Sequence, residues 1–159
     1  MKQASLSHWL KFAILCLAVL GLLVYGLVLP LSGLSIAGNN PEMAYRFWPW
    51  LILFWLTAVP CYAALVLGWK IASDIGQDRS FSDANARRMK WISNLALGDV
   101  LLFFLGNLVL FFLNISHPGV FLLSLLPDML GVAFAVSAAA LSHLIYKSAR
   151  LQQDADLTV

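Results

Sequence analysis

Residues 76–91, GQDRSFSDANARRMKW, form a polar and basic island between two long apolar runs. Arg79, Arg87, Arg88 and Lys90 lie within it, out of ten Lys and Arg residues in all. In an otherwise apolar chain the cations mark the side of a membrane on which a loop stays, so this island decides the topology.

The apolar character is unambiguous. Hydrophobic residues make up 61% of the 159 positions and charged residues 11%, against roughly 25% charged residues in an ordinary soluble domain. The mean hydropathy is +0.83. These values define an integral membrane protein. The net charge of +2 is concentrated at span ends, which leaves no basic domain for direct nucleic-acid binding. Cys16 and Cys61 both fall inside apolar runs without metal-ligand or redox spacing, which excludes a disulfide framework.

Working outward from the island, four spans are predicted, at about 12–31, 47–69, 91–113 and 120–146. The first is too long for a signal-peptide core, which occupies about 7–15 residues, and is read as a retained anchor closed by Pro30 and Gly33. Residues 32–46 contain Gly33, Gly38, Asn39, Asn40 and Pro41 and are expected to form an extramembrane loop. The second span opens on Trp48, Pro49 and Trp50, carries Pro60 as a packing kink, and continues as a helix to Ile75. Gly76 is the expected left-handed cap. Ser80 or Ser82 then caps a helix with Asp83 in its first turn, running without a break through Arg87, Arg88 and Lys90 into the third span.

Residues 114–119, NISHPG, make a turn short enough to force the third and fourth spans to be antiparallel neighbours. The fourth exceeds the bilayer thickness and is expected to tilt, bend at Pro127 or protrude. Lys147, Arg150, Asp154 and Asp156 are read as a short solvent-exposed tail. Lys2, Lys11, the five cations from Lys70 to Lys90, Lys147 and Arg150 share one side, leaving Arg46 opposite. The positive-inside rule makes the first side cytoplasmic. The expected fold is therefore an all-α membrane four-helix bundle, a single domain over 1–159 in the bacterial inner membrane with both termini inside.

Two carboxylates fall within spans, Asp99 and Asp128, and each costs roughly 2.5–3.5 kcal/mol or more at a helix centre. Asp99 lies eight residues beyond Trp91, or about 12 Å in from the cytoplasmic interface, and Asp128 is similarly deep from the other. On adjacent helices the pair could share one proton, as proton relays do. Alternatively each bonds to Asn94, Asn107 or Ser124 and joins helices, worth about 1–2 kcal/mol. Gly98, Gly106 and the small residues Ser137 to Ala140 with Ser142 read as helix-packing positions. His8 and His143 fall near the cytoplasmic interface and His117 in the outer turn. The chain lacks HExxH, CxxC, GxSxG, Walker and GxGxxG motifs, so neither a metal, a cofactor nor an enzymatic activity is expected.

The island carries a more detailed pattern, I-G-x-D-x-S-F-S-x-x-N-A-R-R-M over residues 75–89. With the closing segment KSARLQQDADLTV over 147–159, it resembles the bacterial four-span membrane proteins of domain-of-unknown-function family 2975. The matching positions are Gly76, Phe81, Ser82, Asn85, Arg87 and Arg88; Gln152 and Gln153 replace glutamates that members often carry. Members are often encoded beside a small helix-turn-helix transcription regulator. The resemblance thus implies a non-enzymatic membrane sensor or a partner that sequesters such a regulator, acting through the 76–91 segment and the C-terminal Asp-Leu-Thr-Val.

A different class of function is a small transporter or proton-coupled subunit using Asp99 and Asp128, and a third is a structural subunit of a larger membrane complex. The bilayer is the expected medium. A cytoplasmic protein and a second copy of this chain are the partners to be considered.

Overall fold

A computed structural model describes residues 3–157, with side chains through 153. The expectations resting on Lys2 and on the side chains of Asp154, Asp156 and the closing Leu-Thr-Val lie outside the described residues. Helices α1 (Gln3–Leu23), α2 (Leu29–Asn39), α3 (Phe47–Ile75), α4 (Asp83–Phe112) and α5 (Pro118–Leu157) follow one another. A π-turn at Val24–Val28 joins α1 to α2, and a 3-10 helix at Pro41–Arg46 joins α2 to α3. Four continuous helical stretches are long and apolar enough to cross a membrane.

The first stretch corrects the sequence reading. Pro30 does not close the helix, and Gly33, Gly38 and Asn39 are helical. The π-turn explains why. Leu29 N–H bonds to Val24 O, five residues back, and this shift of register takes up the disturbance that Pro30 would otherwise cause at the start of α2. Gly33 serves close packing: a Cβ there would come within 2.5 Å of the Phe47 ring.

Gly76 is a second correction. It sits at φ −65°, ordinary helical backbone, and the left-handed residue is Asp78 at φ 57°. Arg79 N–H bonds to Asp74 O and Asp78 N–H to Ile75 O, the paired bonds of a Schellman ending with Asp78 in the glycine role. The far end of α4 closes the same way, with Asn114 at φ 57°, Ile115 N–H on Leu110 O and Asn114 N–H on Phe111 O. As expected, Ser82 caps α4, its hydroxyl accepting from Asn85 N–H at 3.2 Å.

The expected C-terminal tail is helical: α5 continues to Leu157. Lys, Ala, Arg, Leu and Gln are good helix formers, no Gly or Pro interrupts them, and buried Ile145 and Ala149 hold the extension in place. At 40 residues and about 1.5 Å each, α5 is twice as long as a ~30 Å hydrocarbon core requires.

The spanning helices pack in a row, α1 on α3, α3 on α4 and α4 on α5. Among the described residues no close backbone approach joins α1 or α3 to α5. Side-chain hydroxyl and indole groups bonding to backbone carbonyls set the registers. Ser7 donates to Ala72 O at 2.6 Å, Tyr62 to Ala18 O at 2.8 Å and Trp55 to Tyr25 O at 3.0 Å, which makes α1 and α3 antiparallel. Ser93 donates to Ala135 O and Ser142 to Ala86 O, both at 2.7 Å, pinning α4 to α5. Such interhelical bonds contribute about 0.6 kcal/mol each on average, up to about 1.7.

Small residues let the backbones approach. A Cβ on Gly106 would lie 2.3 Å from Leu53 Cδ1, and one on Gly131 2.4 Å from Val100 Cγ2. Gly98, expected to pack likewise, faces open space. Of the small-residue stripe, Ala138 and Ser142 are buried while Ser137, Ala139 and Ala140 are exposed, so the packing face is the helical spacing Ala135, Ala138, Ser142.

Candidate functional site

The 76–91 segment is built around Asn85, which is 0% exposed. Its amide donates to Arg79 O at 3.0 Å and Ser80 O at 3.3 Å, tying the loop to the first turn of α4. Its side-chain oxygen accepts from Arg88 at 2.7 Å, and the same Arg88 nitrogen reaches the Asp74 carboxylate at 2.5 Å. Asp74 also faces the exposed Arg79 at 3.6 Å, a geometry worth little in water. The start of α1 docks here too. Ser7 fills the space that a Cβ on Gly76 would need, with Ser7 Oγ 2.8 Å from that position, and Ser80 donates to Gln3 at 3.2 Å.

Gly76, Ser82, Asn85 and Arg88 are thus committed to holding the turn together. Phe81 and Arg87 are not. Phe81 is 51% exposed, and Arg87 and Lys90 point outward from α4. The six positions singled out in the sequence therefore separate into a clamp of four and a displayed pair. Sequence reasoning missed Asp74, whose signal was a lone acid four residues beyond Lys70 at the end of an apolar helix.

A second polar feature crosses the membrane interior. The Ser93 and Ser142 bonds set an antiparallel register that places Asp99 of α4 level with Asp128 of α5. Among the described residues no hydrogen bond joins the two. Asp99 instead accepts from Cys61 of α3 at 3.4 Å, and Cys61 and Thr57, one turn apart on α3, both lie near the Tyr25 hydroxyl. Tyr25 sits in the π-turn, while Cys61 follows Pro60 and Asp128 follows Pro127, prolines that α3 and α5 contain without interruption. One oxygen of Asp99 and one of the buried Asp128 are enclosed without a partner.

The partners expected for the aspartates do not serve them. Asn94 is exposed, Asn107 donates to Phe103 O, and Ser124 donates to Phe121 O, each of the latter two bonding within its own helix. Tyr25, Thr57 and Cys61 were missed, because none carries a charge and their helix-to-helix registers are invisible in a linear chain. Among the described residues no group of three or more His, Cys, Asp or Glu is placed to hold a metal ion.

Two observations now coincide: four helices long and apolar enough to span a membrane, and an island in which Gly76, Ser82, Asn85 and Arg88 form a clamp. The family model described as Protein of unknown function (DUF2975) matches residues 33–159. The chain belongs to that family. The uncharacterized membrane protein YoaS of Bacillus subtilis (strain 168) is 29% identical over 122 residues, covering 75% of this chain and 76% of that protein. No solved structure matches. The family and this relative agree with a membrane protein whose activity is not established.

Proposed function

We propose that this family member is a non-enzymatic regulatory protein of the bacterial inner membrane, with both termini and the 76–91 turn in the cytoplasm, which acts by presenting that turn to a soluble protein. The observation that supports it is the exposure of Phe81 on a turn that its neighbours immobilise. Leaving a phenylalanine half in water forgoes roughly 1 kcal/mol of burial. A loop needed for topology alone requires cations, which Arg87 and Lys90 supply, and has no use for a displayed ring. Beside the ring, Arg87 offers a planar fork for a carboxylate of the partner. The resemblance drawn from the island indicates a small helix-turn-helix regulator as that partner.

The test is co-purification from crosslinked membranes. Phe81→Ala and Arg87→Glu, which leave the clamp intact, are expected to lose the soluble partner while the membrane protein accumulates normally. Retention of the partner by both variants would refute the reading.

The aspartates support a second reading, a proton-coupled subunit, because Asp99 and Asp128 are level and each keeps an enclosed oxygen free. It needs a water path, and neither the cavity beside α2 nor the shallow one at His8 and Phe12 includes them. Proton uptake into liposomes carrying the protein, abolished by Asp99→Asn, would establish it; equal uptake by wild type and variant would dismiss it.

A further inference from the structure

At the end of the row opposite the 76–91 turn, a cavity of about 390 Å³ lies between α2, the 3-10 helix, the first turns of α3 and the turn that enters α5. Ile36, Phe47, Phe54 and Val120 form apolar walls. The polar side chains that line it are Ser32, Arg46, Trp50, Ser116 and His117, all hydrogen-bond donors, and no carboxylate lines it.

Among the described residues, Ser116, the terminal guanidinium nitrogens of Arg46 and His117 Nε2 have no protein hydrogen-bond acceptor. Ser116 is 8% exposed, and its hydroxyl is buried without a hydrogen-bond partner, an arrangement that ordinarily costs about 1–3 kcal/mol. Arg46 uses Nε on Tyr45 at 2.9 Å and stacks on that ring, and among the described residues no carboxylate pairs with its guanidinium. Glu42, one turn earlier, is exposed and does not line the cavity. His117 accepts from Gly119 N–H at Nδ1, 3.0 Å away, so the neutral ring carries its proton on Nε2 as a further donor.

We propose that this cavity binds a single-chain amphiphile with a carboxylate head, the acyl chain against Phe47 and Phe54 and the head on Arg46, with His117 completing its hydrogen bonds. The volume stands near the low end of the ~300–1,000 Å³ typical of ligand pockets, room for one chain and too little for the two of a phospholipid. A lining that holds one cation without a paired carboxylate, and no carboxylate of its own, selects an anion over an alcohol. Binding here stands independently of what the opposite face contacts.

The test is native mass spectrometry of the full chain in non-ionic detergent, with equal concentrations of myristate, 1-tetradecanol and dimyristoyl phosphatidylglycerol. One equivalent of myristate is expected, favoured at least tenfold over the other two. Arg46→Gln is expected to lose that preference, Arg46→Lys to keep most of it, and Ala37→Trp to exclude all three by filling the space. Equal retention of the alcohol, displacement of myristate by the phospholipid, or undiminished myristate binding by Arg46→Gln would overturn the proposal. The head-group comparison on the unmodified protein decides the matter even if a variant loses its helical signal.

Discussion

One nitrogen of Arg88 lies 2.5 Å from the Asp74 carboxylate and 2.7 Å from the Asn85 side-chain oxygen, joining the last turn of α3 to the first turn of α4. Charge-assisted hydrogen bonds of this kind contribute about 1.5–3 kcal/mol each, against at most about 1 for exposed pairs. Arg88→Ala is therefore expected to lower stability by roughly 2 kcal/mol, and Arg87→Ala, on the outward face, by less than about 0.5. Thermal unfolding of the two variants in the same detergent checks this.

Asn85→Ala removes both amide donors and the acceptor for Arg88. A loss of roughly 2–3 kcal/mol is expected, because the carbonyls of Arg79 and Ser80 and the Arg88 guanidinium then lose a partner. Limited proteolysis should cut the 76–82 turn in this variant and spare it in the unmodified protein.

Gly76 and Ser7 are coupled through space. Gly76→Ala places a methyl group 2.8 Å from Ser7 Oγ and disturbs its bond to Ala72 O. The single variant is expected to cost about 1–3 kcal/mol. In a Ser7→Ala background the same change should cost less, and a double-mutant cycle on unfolding free energies measures the difference.

Gly106 and Gly98 stand two turns apart on α4 and should behave oppositely. Gly106→Ala drives a methyl into the buried Leu53, with contacts of 2.3 Å to Cδ1 and 3.3 Å to Cγ, so the whole side chain must move; about 1–3 kcal/mol is expected. Gly98→Ala meets nothing within 4 Å and should be neutral or stabilising by up to roughly 1 kcal/mol through helix propensity. Midpoints of unfolding in detergent separate the two.

Much of this architecture is legible from the chain because lipid imposes few alternatives. Span number and order follow from apolar length, and the Ser82 cap and the α3 end at Ile75 follow from local chemistry. Local rules fail where lipid or a distant residue prevails. Pro30 and Gly33 signal a loop in water but remain helical, since a π-turn and the Phe47 contact settle the matter. Gly76 has the composition of a left-handed cap, yet Ser7, far away in sequence, accounts for it. The same applies to function. Asp99 and Asp128 stand out as charges, whereas Cys61, Thr57 and Tyr25 gain meaning only from the registers set by Tyr62 and Trp55. The burial of Asn85 and the exposure of Phe81 are likewise tertiary facts, and they convert one six-residue pattern into a clamp and a displayed pair.

The claim at the centre is that the clamp exists to hold Phe81 and Arg87 out to a soluble partner, and site-specific photo-crosslinking in living cells tests it most directly. A photoreactive phenylalanine analogue at position 81 should yield an adduct with a small helix-turn-helix protein, identified by mass spectrometry. The same analogue at Phe112, exposed at the opposite end of α4, should yield lipid adducts alone. Lipid adducts alone from position 81, or adducts only with a second copy of this chain, would contradict the account.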